Sequence, residues 1–224
     1  MPLVAPLPAD HDPEVEQLAQ FFNTTLGFAP HSVLTMMRRP ALARAFTELN
    51  RAVMANQGRV SSELKRLLGH IASRVAGCRY CEAHTIRAAA RFGNQEGAAP
   101  ERLDEVWSFR TSALFTPAER AALEFAAAAA SVPGSVSPEI GAELRRHWDD
   151  GEIVEITGVI ALFGFLTGLL LSIRKGHPCS RYHRRQRRWW GYDHQPDNTT
   201  RLGRTAACLT LADCATRSYW DNCS

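Results

Sequence analysis

Two of the chain's six cysteines stand three positions apart in the run Cys78-Arg79-Tyr80-Cys81-Glu82-Ala83-His84. At the start of a helix, thiols at this spacing lie about 60° apart around the axis and one turn up, so they can meet as a disulfide. A cysteine attacks as thiolate, and a free thiol with a pKa near ~8.5 holds little of that form at neutral pH. The first turn of a helix favours the charged form through its unsatisfied N–H groups and macrodipole, and Arg79 adds a cation. His84 follows Cys81 by three residues and reaches that thiol more readily than Cys78. An imidazole takes a thiol proton near pH 7 and returns it to a leaving group. Glu82, adjacent in sequence, does not share this face.

Such a constellation does thiol redox chemistry or binds metal. For zinc, C-x-x-C with a histidine supplies three ligands, and His177, Cys179 and His183 would complete a closed site and make a zinc-stabilised interaction module. A pair of plain buried helix cysteines is the structural alternative. His70 falls on the polar side of its helix, where a surface histidine is expected and a proton relay is the other reading. Glu63 and Arg66 read as an exposed i, i+3 pair, with Glu63 a second relay candidate. Tyr80 and Trp107 read as packing residues, or Tyr80 as lining a substrate entrance.

The elements that must position these groups all read as helices. Alanine clusters with Leu, Arg and Glu favour helix, and no segment alternates long enough for a sheet. Asp12 and Pro13 open a helix to about Leu26, stopped by Gly27; residues 28–39 read as a connection; Pro40 opens a helix to about residue 56. Ser61 or Ser62 caps a third helix whose Leu64, Leu67, Leu68, Ile71, Ala72 and Val75 form one apolar stripe, broken at Gly77. The helix from Cys78 runs to Arg91 or Phe92, ended by Gly93. Further helices are expected at 101–109, 117–130, 138–148 and 151–174. The fold class is therefore all-α, with residues 1–12 an arm, 13–175 the helical domain and 176–224 an irregular basic tail.

At 224 residues, 45 % hydrophobic and 22 % charged, the chain suits one main globular domain. Residues 1–174 hold 17 basic against 19 acidic residues, while the remainder holds 9 against 4. A near-neutral body argues against nucleic acid as its partner. In the tail, an Arg-Arg-Gln-Arg-Arg-Trp-Trp run suits RNA or anionic lipid only weakly, and its composition reads as disordered. Residues 1–6 lack the cationic and apolar regions of a secretory signal, so a cytoplasmic, reducing location is expected, where paired cysteines are catalytic or metal-binding. Ile156 to Ile173 carries no charge over 18 residues; its glycines, threonines and upstream glutamates point to a buried helix in a core or subunit interface rather than a membrane span.

The segment Leu64 to Leu68 through Ala76-Gly77-Cys78-Arg79-Tyr80-Cys81-Glu82-Ala83-His84-Thr85, ending in Arg91-Phe92-Gly93, resembles the carboxymuconolactone decarboxylase superfamily, in its alkylhydroperoxidase D-like branch. The resemblance runs from about residue 13 to 174. It implies an all-α fold, subunits associating as dimers, trimers or hexamers, no cofactor, and a peroxiredoxin-type, antioxidant reduction of hydroperoxides. It further implies that Cys81 attacks the peroxide, that Cys78 resolves it to a disulfide, and that a dithiol protein or small thiol restores both. Arg66 stands where that branch carries a glutamate, and Thr85 where it carries a histidine, so His84, supported by His70, takes the relay. A lactone decarboxylase-like enzyme without redox cycling is the alternative that the superfamily offers.

Overall fold

A computed structural model of the chain describes residues 3–56 and 58–173. The tail, with its expected disorder and the zinc ligands His177, Cys179 and His183, lies outside the described residues.

The first helix forms as its end signals dictate. Asp12 accepts a hydrogen bond from the Val15 amide at 2.9 Å, α1 runs Pro13–Leu26, and Gly27 ends it with φ 85°, a conformation that suits glycine. A short α2, His31–Met36, then occupies what reads in sequence as a connection. It has no side-chain cap and too few residues to show a helical period, and it forms because Ser32 to Met36 are all buried. α3 spans Pro40–Met54 and α4 Ser62–Val75, the latter capped by Ser61.

Gly77, at φ 82°, turns the chain from α4 into α5, Arg79–Glu96. This helix continues past the expected stop at Gly93 to Gly97, where φ reaches 75°. Gly93 instead sits inside the helix against α4, where an added Cβ would come within 3.2 Å of the Glu63 carboxylate. The single helix expected at 101–109 is two pieces, α6 (Glu101–Asp104) and a 3-10 turn at Val106–Ser108. α7 (Pro117–Ala129), α8 (Pro138–His147) and α9 (Asp150–Ile173) follow the expected spans closely. All nine α-helices among the described residues belong to one compact unit, and those residues contain no strand.

α4 is the hub, with α5, α7 and α9 all packed against it. Leu64, Leu67, Leu68 and Ile71 are buried with Phe115 and Leu123, Ile156 and Val159; each such side chain stabilises by roughly 1.5–3 kcal/mol. Being wrapped on several sides, α4 also buries the face that its periodicity marks as polar: Glu63, Lys65, Arg66, His70 and Ser73 are all under cover. The exposed Glu63/Arg66 pair and the surface His70 expected from the pattern are thus both corrected. A second cluster joins α1, α2 and α3 to Leu162 of α9.

Candidate functional site

Cys78 is the N-cap of α5. Its amide donates to the Ser73 carbonyl at 2.8 Å, closing the turn at Gly77, and its sulfur accepts from the Cys81 amide at 3.3 Å. The two sulfurs are 2.7 Å apart, so the helix start brings the pair into contact as its spacing predicts. Both are almost fully buried, at 2 % and 4 % exposure, under Leu170 with Phe163 and Leu166 of α9 and Tyr80 alongside. Phe163 reaches this position because Gly69 of α4 has no side chain; an added Cβ would meet its ring at 2.3 Å.

His84 stands one turn beyond Cys81 on α5. Its ring stacks on Phe28 at 4.3 Å and meets Tyr80 edge-on at 4.0 Å. Tyr80 is held in turn by its hydroxyl, which accepts from the His31 amide at 3.0 Å, so the loop after α1 and the start of α2 both build this wall. Thr85 donates to the carbonyls of Cys81 and Glu82, each at 2.9 Å, and leaves its chemistry inside the helix.

On the other side of α5, His70 lies with Nδ1 3.1 Å from the Glu82 carbonyl and its ring 5.5 Å from Trp107. Burial pushes its pKa below the ordinary value, although Glu82 pulls the other way. It is therefore neutral at pH 7, and a proton on Nδ1 donated to Glu82 leaves Nε2 as a base. The Glu82 carboxylate is clamped by Arg74 at 2.9 Å and Arg79 at 2.8 Å, and Arg74 lies over Trp107. Glu82 points away from the cysteines as expected. Its tie to α4 is invisible in sequence because Arg74 lies on another helix.

Glu63 is not part of this group. It faces the opposite end of the α4/α5 pair, bonded to Arg102 at 3.1 Å, and Arg102 also bonds Glu119 at 2.5 Å. Burial raises the Glu63 pKa, outweighing the pull of Arg102. Burial also acts to raise Glu119, but hydrogen bonds from Arg102 and Thr116 bring it below the usual carboxylate range. A pocket of about 520 Å³ opens beside this network, lined by Asn56, Ser61, Glu96 and Ala99 among others. Among the described residues no cluster of three or more His, Cys, Asp or Glu has the arrangement to hold a metal ion.

A helical hub that presents a buried cysteine pair at the head of its neighbouring helix defines a class of all-α thiol proteins. Residues 40–128 match the carboxymuconolactone decarboxylase family, and the chain belongs to that family. The debrominase Bmp8 is 31 % identical, with a TM-score of 0.68 over 80 % of this chain and 95 % of its own. A cysteine-to-alanine variant of Bmp8 is known in complex with 2,3,4-tribromopyrrole. An uncharacterised peroxidase-related protein from Silicibacter sp. TM1040 shares the fold at 20 % identity, with a TM-score of 0.58 over 77 % of this chain and 86 % of that one. Uncharacterised protein YnjA of Escherichia coli K12 is 33 % identical over 86 residues, which are 38 % of this chain and 44 % of that protein. The match thus spans less than half of that curated relative.

Proposed function

We propose that the chain is a dithiol-dependent reductase that acts on hydroperoxides through Cys81 and Cys78. The contact between the two sulfurs at the head of α5 carries this reading. The Cys81 thiolate attacks the terminal peroxide oxygen, the O–O bond breaks, and Cys81 becomes a sulfenic acid. The alkoxide leaves with a proton from His84. The Cys78 thiol then displaces the sulfenic oxygen, which departs as water, and an external dithiol or small thiol reduces the resulting disulfide. His70 is the second proton carrier, through its neutral ring beside Glu82. Glu63, held by Arg102, serves the packing of α4 instead.

A second reading follows from Bmp8, whose likeness covers nearly its whole length. The same dithiol reduces a brominated aromatic ring if the thiolate takes bromine from carbon, the ring carbon takes a proton, and the second thiol displaces bromide. Two thiols are spent per bond in either case, and they end as one disulfide.

The exposed side of α9 supports association of subunits as a homo-oligomer. Turnover of an alkyl hydroperoxide and of a bromopyrrole by the wild-type chain and by C81S and C78S, with dithiothreitol as reductant, tests both readings. Peroxide turnover lost in C81S supports the first, and bromopyrrole turnover alone supports the second. Peroxide turnover surviving in C81S contradicts the proposal.

A further inference from the structure

Three cations are buried among the described residues: Lys65, Arg66 and Arg102. Two of them have carboxylate partners, Lys65 with Glu155 and Arg102 with Glu63 and Glu119. Arg66 forms no ion pair among the described residues, and the Glu96 carboxylate acts on it only through its field. It is 8 % exposed, and its Nη1 is buried without a hydrogen-bond partner. Its guanidinium lies over the Phe92 ring at 4.3 Å, which orients the plane of the fork and leaves the Nη1 donor unspent. Burial lowers its pKa to about 10, still well above neutrality, so the charge remains. A buried guanidinium kept charged and oriented, with a donor left unbonded, is costly to a fold that gains nothing from it.

We propose that Arg66 is an anion anchor that binds the carboxylate of an organic-acid substrate. The fork geometry suits a two-oxygen acceptor, and the cation–π contact with Phe92 pre-orients it. Phe92 lies eleven residues beyond Cys81 on α5, about 16 Å by helical rise. The anchored carboxylate is therefore remote from the thiols, and the reducible group sits toward the far end of an extended molecule. This assigns a substrate class to the thiol site and, for turnover, rests on the hydroperoxide reading; binding of the acid does not.

Two arms test the assignment. In the first, the full chain carrying C78S and C81S is titrated calorimetrically with decanoate and with inorganic phosphate. Saturable decanoate binding is expected, weakened about tenfold or more by adding R66M and partly kept with R66K. Decanoate binding unchanged by R66M, or phosphate bound more tightly than decanoate, overturns the proposal. In the second arm, the wild-type thiols act on a linoleic acid hydroperoxide and on its methyl ester. R66M should raise KM for the acid about tenfold, leave its kcat within about twofold, and leave the ester unaffected. Equal changes on acid and ester would mark Arg66 as merely structural and overturn the assignment. If the wild-type chain turns over neither compound yet decanoate binds through Arg66, the hydroperoxide reading fails and the anion anchor stands.

Discussion

Cys78, Cys81 and His84 depend on local geometry alone, since one helix start sets the first two in contact and one further turn sets the third. If His84 delivers the proton to the leaving alkoxide, H84A should lower kcat for hydroperoxide by 10²- to 10⁴-fold. Stopped-flow turnover at saturating peroxide measures this directly. His70 makes a separate prediction about stability. Its folded-state pKa lies below the unfolded value because burial disfavours the charged ring, so the unfolded chain binds more protons as the pH falls below about 6.5. Stability from His70 is thus present at neutral pH and lost on acidification through that window. Chemical denaturation at a series of pH values should show the loss in the wild-type chain and a flatter profile in H70Q. The motif residues were legible in sequence because they are neighbours along it. The pairs Arg74–Glu82 and Arg102–Glu63 were not, since each joins two helices and no spacing rule reports such pairs.

At the scale of elements, α4 and its contacts decide whether the site forms. Gly69 gives Phe163 room to reach the cysteines, so G69A should destabilise the chain by about 1–3 kcal/mol through overpacking and displace the α9 wall of the thiol pair. Urea unfolding would measure the first effect, and the rate of thiol alkylation the second. Removing Arg102 strands two carboxylates, Glu63 and Glu119, both well covered, so R102A should cost about 3–5 kcal/mol. Helix ends announced by a cap or a left-handed glycine, as at Asp12 and Gly27, were readable. α2 was not, because six residues held by burial carry no period. Gly93 misled for the opposite reason: a glycine that reads as a stop is kept for its close approach to Glu63. The hub itself escaped the amphipathic pattern, since a helix covered on several sides must bury its polar residues, Lys65 against Glu155 and Glu63 against Arg102 among them.

On the scale of the whole molecule, α9 combines two roles. One side closes over α4 and the thiols, while Val154, Phe165 and Leu171 remain exposed at 71 %, 41 % and 54 %. The helix is long and apolar enough to cross a membrane, with a mean hydropathy of 2.1 over an 18-residue window within Asp150–Ser172, yet only a third of that window is buried within the chain. The buried final helix expected from sequence is thus half realised. Apolarity is legible in composition, but which side is covered depends on α3, α4 and α7 arriving against it. If subunits associate through this face, light scattering on the purified chain should give a multiple of 24.8 kDa, reduced by charged substitutions at Val154 and Phe165.

The central claim is that Cys78 and Cys81 act as one dithiol. A thiol count before and after one equivalent of hydroperoxide, with mass mapping of the products, tests it most directly. Rapid loss of two thiols, recovered as a Cys78–Cys81 bridge, is the predicted result. Unchanged thiols, or oxidation of either cysteine to a stable acid without the bridge, would contradict it.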